Sequence, residues 1–404
     1  MAAAAVPEQN VPDHVPADLV VDFDVYRPLQ SGLGYFESYK AMQDRGLPDI
    51  FWSPYNGGHW VSRRRAHQNE IFADSERFSS EFGLTLPRLP ENPLKLVPIE
   101  ADPPRQLKYR ALFASAFTAL AIKKLEEGAR DLAIGLIEAM KPRGQCEFVT
   151  EFAQHLPIKI FMAMVDLPEE DRLKLLPLAN AQVEADAPKA ESMRVLFEYV
   201  SGKVAERQAN PGEDLISRIV RSEIDGAPIS FMDAVSVTSL LLIGGLDTVA
   251  SMLGHIMHHL AQHPELRRQL AADPKLINGA VEEFLRAFAL TNTGRVVRND
   301  IEFHGVTMRA MESVVLATPF GALDPDDYPN GLTIDFARKS PTKSTFGAGS
   351  HVCPGSMLAR LEIKILLEEW LPRIADWSLD PAAEPIIRTG VNGSFARLPL
   401  VWST

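Results

Sequence analysis

Along most of the chain, apolar residues recur every three to four positions, the spacing that gives a helix one face to bury. This pattern predicts helices over 113–140, ending before Pro142, and over 156–164 and 169–181, separated near Pro168. Further helices are predicted at 197–209, stopped by Asn210-Pro-Gly, at 231–263, one long apolar helix closed by His263-Pro, at 275–289, and at 356–370, stopped by Pro372. Three stretches depart from that period. Residues 49–63 read as strand, Asn56-Gly turn and strand; 296–316 alternate and contain His304-Gly; 398–402 read as a short strand. The fold class expected is mainly α with small β-sheets, without internal repeats.

Composition narrows the class. A chain of 404 residues, 46% hydrophobic and 23% charged, has the balance of a soluble globular protein with a large core. A net charge of -12 argues against general binding of nucleic acid. The two cysteines, Cys146 and Cys353, provide no disulfide framework and fit a reducing cytoplasm. Residues 1–20, rich in Ala and Pro near the start, are expected to be a flexible lead-in and not a signal peptide. The most apolar run, 234–246, stops at Asp247; it is too short to span a bilayer and reads as a buried helix.

The strongest chemical signal is Phe346-Gly-Ala-Gly-Ser-His-Val-Cys353-Pro-Gly355. Its glycines let backbone come close to a flat ligand. A helix begins directly after Cys353, and its positive end favours thiolate over thiol. Leu358, Leu361 and Ile365 pack that helix inward. A lone cysteine before a helix can also be a small buried residue, but ten positions with six specified are not a chance match. Pro354 has no N–H to offer the sulfur, so the thiolate should be more electron-rich than with Leu at that position.

A second signal is Leu241-Leu-Ile-Gly244-Gly-Leu-Asp247-Thr248-Val249. Two glycines inside a helix cost roughly 1 kcal/mol each relative to Ala and are tolerated where something must approach or the helix must open. Read alone, they could equally mark a helix crossing with a satisfied Asp. A third signal, Glu283-Phe-Leu-Arg286, is either a surface i,i+3 ion pair or a buried lock.

Together these motifs resemble the cytochrome P450 family, and the resemblance covers nearly the whole chain. It implies the cytochrome P450 fold over 21–404 as a single domain, haem b as cofactor and Cys353 as axial ligand. Gly244, Phe346, Gly349 and Gly355 would surround the cofactor, and Arg110, Arg295 and His351 would hold its propionates. Asp247 would relay protons, a general-acid role, and Thr248 would hydrogen-bond the oxygen being activated. Glu283 and Arg286 would lock the core behind the haem.

The likeness is greatest to the camphor-hydroxylase class of bacterial P450s. It implies O₂ as co-substrate and electrons from NADH through a flavin reductase and a [2Fe-2S] ferredoxin. The enzyme is expected to be a cytoplasmic monomer without membrane or nucleic-acid partners. Arg63, Arg64, Arg65, Arg105, Lys108, Lys343 and Arg360 are its candidate ferredoxin contacts. The pocket positions by likeness are Leu94, Leu240, Ile243, Thr291, Val391 and Asn392. Leu94 stands where that class has the tyrosine that holds camphor's carbonyl, so a different small terpenoid is expected: an ionone-like norisoprenoid ketone first, cineole or another monoterpene second. Thr293 and Ser344 depart from the pattern at the haem edge. The rival readings are a haem-thiolate peroxygenase and a non-catalytic haem sensor.

Overall fold

The periodic segments form helices wherever capping and breaking residues permit, and the computed structural model describes residues 10–81, 85–87, 95–339 and 345–404. About 51% of the chain is helical, with small β-sheets. Ser356–Trp370 is helical as expected, while the helix expected from 113 begins only at Ala119, because Thr118 caps it by accepting from the Ala121 N–H. Upstream of the cap lies a separate helix, Arg105–Ala114, whose residues carry no strong apolar stripe. The helix expected at 197–209 starts earlier, at Lys189.

The long apolar segment is two helices, Phe231–Leu246 and Thr248–Gln262. The break falls at Asp247 (φ -116°, ψ -39°), just after the paired glycines. The Thr248 hydroxyl donates to the Gly244 carbonyl at 3.0 Å, a side-chain bond that competes with the helical ladder. Taken together, 231–262 is 32 residues whose most apolar window has mean hydropathy 1.6, long and apolar enough to cross a membrane by length and composition, but 67% of that window is buried in the protein. The expectation of a segment too short to span therefore applies to 234–246 alone; burial is the better argument for a core helix.

Two apolar clusters meet at this break. One gathers Ser356–Trp370, Ile277–Ala287, Ala119–Met140 and Thr248–Gln262. The other gathers His155–Val165, Lys189–Ala209 and Phe231–Leu246. The expected hairpin forms from Ile50–Ser53 and His59–Ser62, with Trp52 opposite Trp60. It extends through Ser313–Ala317 and Asn292–Val297 to Phe78–Ser79 as a five-stranded sheet. Pro399–Trp402 joins a second sheet between Trp377–Leu379 and Gln145–Glu147.

The expected lead-in needs correction over 10–20. Asn10 bonds Pro54 O at 2.9 Å and accepts from the Trp52 indole at 2.8 Å, and Val15 is buried in a third apolar cluster. The Pro and Ala content hid these anchors. Residues 1–9 lie outside the described set.

Several histidines are buried as neutral rings. Burial pushes His59, His255 and His258 down to about 4 and His259 to about 3. The unfolded chain titrates its histidines near ~6.5. Between that value and the folded values it binds more protons than the native state, so acid favours unfolding. Thermal unfolding midpoints are therefore expected to hold steady above pH ~7 and to fall from pH ~6.5 toward ~4. The pair His258→Gln and His259→Gln should flatten the slope; an unchanged slope would contradict this account.

Candidate active site

The loop before Ser356–Trp370 turns through a short 3₁₀ segment, Gly349–His351, and Cys353 N–H donates to Phe346 O at 2.9 Å. Gly349 sits at φ +67°, and a Cβ there would lie 2.8 Å from Ala73 Cα, so backbone conformation and close approach both require glycine. Burial pushes the Cys353 thiol up; the Gly355 amide, Arg110, Arg360 and the Ser356 amide pull it back. Of the three residues following Cys353, Pro354 alone has no N–H. Pro354→Leu is expected to add a donor near the sulfur and raise the haem reduction potential in a potentiometric titration. An unchanged or lower potential would count against that reading.

Cys353 lines a cavity of about 260 Å³ whose wall also includes Leu358 and Glu362 from its own helix and Leu240, Gly244 and Thr248 from the broken helix pair. The adjacent glycines serve different purposes. A Cβ on Gly245 would lie 2.7 Å from the Phe161 ring, whereas nothing lies within 4 Å of one on Gly244, which faces the cavity. A sulfur, an alcohol and an open glycine wall thus share one mainly apolar chamber.

The cytochrome P450 family model matches residues 158–389, more than half of the chain. The chain belongs to the cytochrome P450 family. It is 30% identical over 404 residues to a probable cytochrome P450 127A1 of Sinorhizobium fredii, covering 97% of each chain. The crystal structure of the P450 CYP101J2 matches with a TM-score of 0.88 at 37% identity, covering 98% of this chain and 99% of that one. The P450 CYP268A2 of Mycobacterium marinum, solved with pseudoionone, matches with a TM-score of 0.81 at 26% identity, covering 91% and 94%.

P450s bind haem b through a cysteine thiolate, and the residues around this P450's cavity fit that group. Arg295 is buried, its hydrogen bond goes to the adjacent Gly294 O at 2.7 Å, and burial pushes its guanidinium down to about 10. Asp102, whose charge opposes that shift, forms its own ion pair with Arg298. His351 Nε2 is buried without a hydrogen-bond partner among the described residues, and burial, then Arg295, push the ring down to about 4. Arg110 lines the cavity and reaches Val352 O. A buried guanidinium at Arg295, a second one at Arg110 on the cavity wall and an unpartnered His351 ring nitrogen suit the two carboxylates of haem b. Thr293 lies on the same strand as Arg295, Asn292–Val297; Ser344 is outside the described residues.

Asp247 is buried but is not part of the cavity wall among the described residues. Its carboxylate accepts from Asn392 Nδ2 and Ser251 Oγ, each at 3.3 Å, and Arg388 Nη2 is 3.9 Å away. Burial raises its pKa; Arg388, Asn392 and Ser251 oppose that, and Glu184 adds to it.

The expected pocket set is divided. Leu240 lines the cavity. Ile243 packs into the second apolar cluster and Val391 onto the first. Thr291 donates to Asn392 Oδ1 at 3.0 Å, and that pair faces Asp247 instead of the cavity. Matching positions one by one missed that two polar side chains can satisfy each other. Leu94 lies outside the described residues.

The cavity wall instead includes Phe113, Phe117, Pro157 and Phe161, which no motif singled out. It also includes Glu362, whose carboxyl burial pushes up to about 8. Its spacing from Leu358 (i,i+4) put it on the buried helix face, a signal present in the sequence.

The candidate ferredoxin face is less basic than its arginine count implied. Arg63 is buried and tied to Pro48 O and Gln43. Arg64 and Arg65 pair with Asp324 and Asp327, Lys108 with Asp225, and Arg360 with Glu282. Arg105 reaches Tyr109 Oη at 2.9 Å; Lys343 is outside the described residues.

Proposed function

We propose that the protein is a haem-thiolate monooxygenase that hydroxylates an unactivated C–H bond of a small norisoprenoid ketone of the ionone type. Haem held by a thiolate supplies reductive activation of O₂: one oxygen atom enters the C–H bond, the other leaves as water, and two electrons and two protons are consumed. Cys353 supplies the thiolate. Arg110, Arg295 and His351 hold the carboxylates, and Gly244 keeps the helix clear of the ring. The Thr248 hydroxyl, now on Gly244 O at 3.0 Å, can turn to hydrogen-bond oxygen in the cavity. Asp247 carries protons toward it from the partly exposed Glu184, with Arg388 pairing with Glu184 and lying beside Asp247. Phe113, Phe117, Phe161, Leu240 and Leu241 bind the apolar substrate and exclude water.

The observation that carries this reading is that Cys353, Gly244 and Thr248, distant in sequence, line one largely apolar cavity. Proton-delivering groups beside it favour an O₂-dependent monooxygenase over a sensor. The apolar lining and the pseudoionone in the related CYP268A2 structure support an ionone-like substrate ahead of cineole. The protein is read as cytoplasmic, with electrons from a [2Fe-2S] ferredoxin and an NADH-dependent flavin reductase. Because most candidate docking arginines are already paired with carboxylates, that docking rests on the class and not on a free basic face.

The test is a spectral titration of the haem-loaded protein. Adding ionone should convert low-spin iron to high-spin, and camphor should not. The reverse pattern ends the substrate reading.

A further inference from the structure

We propose that Asn392, anchored by Thr291, is a positioning residue that holds the Asp247 carboxylate on the side of its helix away from the substrate cavity and sets when it loads and releases a proton. This deepens the reading of Asp247 as proton carrier and rests on it.

The argument begins with the backbone. Residues 388–393 are stitched to two neighbours. Val391 N–H donates to Val183 O at 2.7 Å, and Ala185 N–H to Thr389 O at 2.9 Å. On the other side, Asn292 N–H donates to Val391 O at 2.7 Å and Gly393 N–H to Leu290 O at 3.1 Å. A side chain at Gly390 would run into Val183 O, so the segment can lie this close only with glycine there. Thr291 is fixed as well: its N–H donates to Thr318 Oγ1 at 3.1 Å, and Thr318 Oγ1 donates to its carbonyl at 2.8 Å. The mount is rigid on both flanks.

The side chains then fix the polarity. The Thr291 hydroxyl donates to Asn392 Oδ1 at 3.0 Å, which leaves Asn392 Nδ2 to donate to Asp247 Oδ2 at 3.3 Å. An ionised carboxylate can only accept, so this amide orientation matches a charged Asp247. Ser251 donates to the same oxygen at 3.3 Å, Arg388 lies 3.9 Å from the other, and Arg388 also pairs with Glu184. These are the charged and polar groups that face the carboxyl. Asn392 is buried, and neither it nor Thr291 lines the cavity, so direct substrate contact does not account for the pair.

The chemistry follows. Hydrogen bonds to a charged acceptor are roughly twice as strong as those to a neutral one. Asn392 therefore grips Asp247 while it is ionised and loosens once a proton has arrived by way of Glu184, which Arg388 pairs with beside Asp247 without giving up its own proton. The loaded carboxyl is then free to turn toward Thr248. Without the Asn392 amide the carboxylate loses a donor and binds its proton more tightly.

Infrared titration of the haem-loaded protein provides the test. The carboxylic C=O band absent from Asp247→Asn belongs to Asp247, and its midpoint is followed against pH. Asn392→Val should raise that midpoint by about one pH unit, about tenfold in proton affinity. Thr291→Val should move it the same way by less, and it stands in should Asn392→Val fail to fold. The share of electrons lost to hydrogen peroxide should rise in Asn392→Val, but Asn392→Val should add nothing in an Asp247→Asn background. An unmoved midpoint, no band in either protein, or a peroxide effect that persists in that background would overturn the proposal. A shifted midpoint with unchanged peroxide loss in Asp247→Asn would leave the positioning role standing and instead sink the relay role of Asp247.

Discussion

Arg286→Ala is expected to lower the free energy of unfolding by ~3–5 kcal/mol, the cost of leaving one member of a buried ion pair alone. Arg286 and Glu283 are 1% and 0% exposed. The guanidinium donates to Glu283 Oε2 and Oε1 at 2.9 and 2.8 Å, to Ala322 O at 3.0 Å and to Gly331 O at 2.8 Å. Glu283 in turn accepts from Arg338 at 3.0 Å and from Asp335 N–H at 3.1 Å. The pair therefore ties its own helix to the segment at 322–338, and alanine would strip two charged donors from a buried carboxylate, leaving it to Arg338 and the Asp335 N–H, and would orphan two carbonyls. Replacing both members, with Glu283→Leu and Arg286→Met, should cost less than the single change, because no buried charge stays unpaired. Urea unfolding of the haem-loaded proteins checks both. A loss below ~0.5 kcal/mol would be that of a surface i,i+3 pair and would contradict the buried role.

Cys353→Ser is expected to reduce substrate oxidation by at least about 100-fold, ~2.7 kcal/mol in the barrier. A serine hydroxyl stays protonated and lacks the electron donation that assists O–O cleavage. Cys146 cannot take over. It is buried in the strand Gln145–Glu147, is not part of the cavity wall, and burial raises its thiol pKa well above the ordinary value. Cys146→Ser should therefore leave turnover close to that of the wild type. Product formed per haem, measured with an electron donor in excess, separates the two variants. Equal loss in both would contradict the assignment of Cys353.

Local chemistry made much of this readable from sequence. The Phe346–Gly355 loop carries its own glycines and cysteine and leads straight into a helix, so ten adjacent residues describe the half of the site proposed to hold the metal. Thr248 and Gly244 were readable because an acid, an alcohol and two glycines are costly inside an apolar helix. What escaped depends on partners far along the chain. Thr118 splits a helix through a cap that periodicity does not register. Asp247 breaks another where strong apolar character overrode the local signals.

Thr291 and Asn392 are 101 residues apart, and only the folded chain shows that they bond each other, that Asn392 bonds Asp247 and that neither is in the cavity wall. Phe113, Phe117 and Phe161 carry no signature beyond being aromatic; the meeting of the two apolar clusters brings them to the cavity. Most of the cations expected to form a basic face are paired with carboxylates, which the sequence could not show for a similar reason. Counting cations ignores the aspartates and glutamates that fold back onto them.

The most direct measurement is the absorption spectrum of the wild-type, haem-loaded protein, reduced and saturated with carbon monoxide. A thiolate opposite the bound gas moves the main band to distinctly longer wavelength than a neutral ligand does, and the wild type should show the long-wavelength band while Cys353→Ser should not. A wild-type band at the position typical of a neutral ligand, or a spectrum unchanged by the serine, would mean that the sulfur of Cys353 does not bind iron.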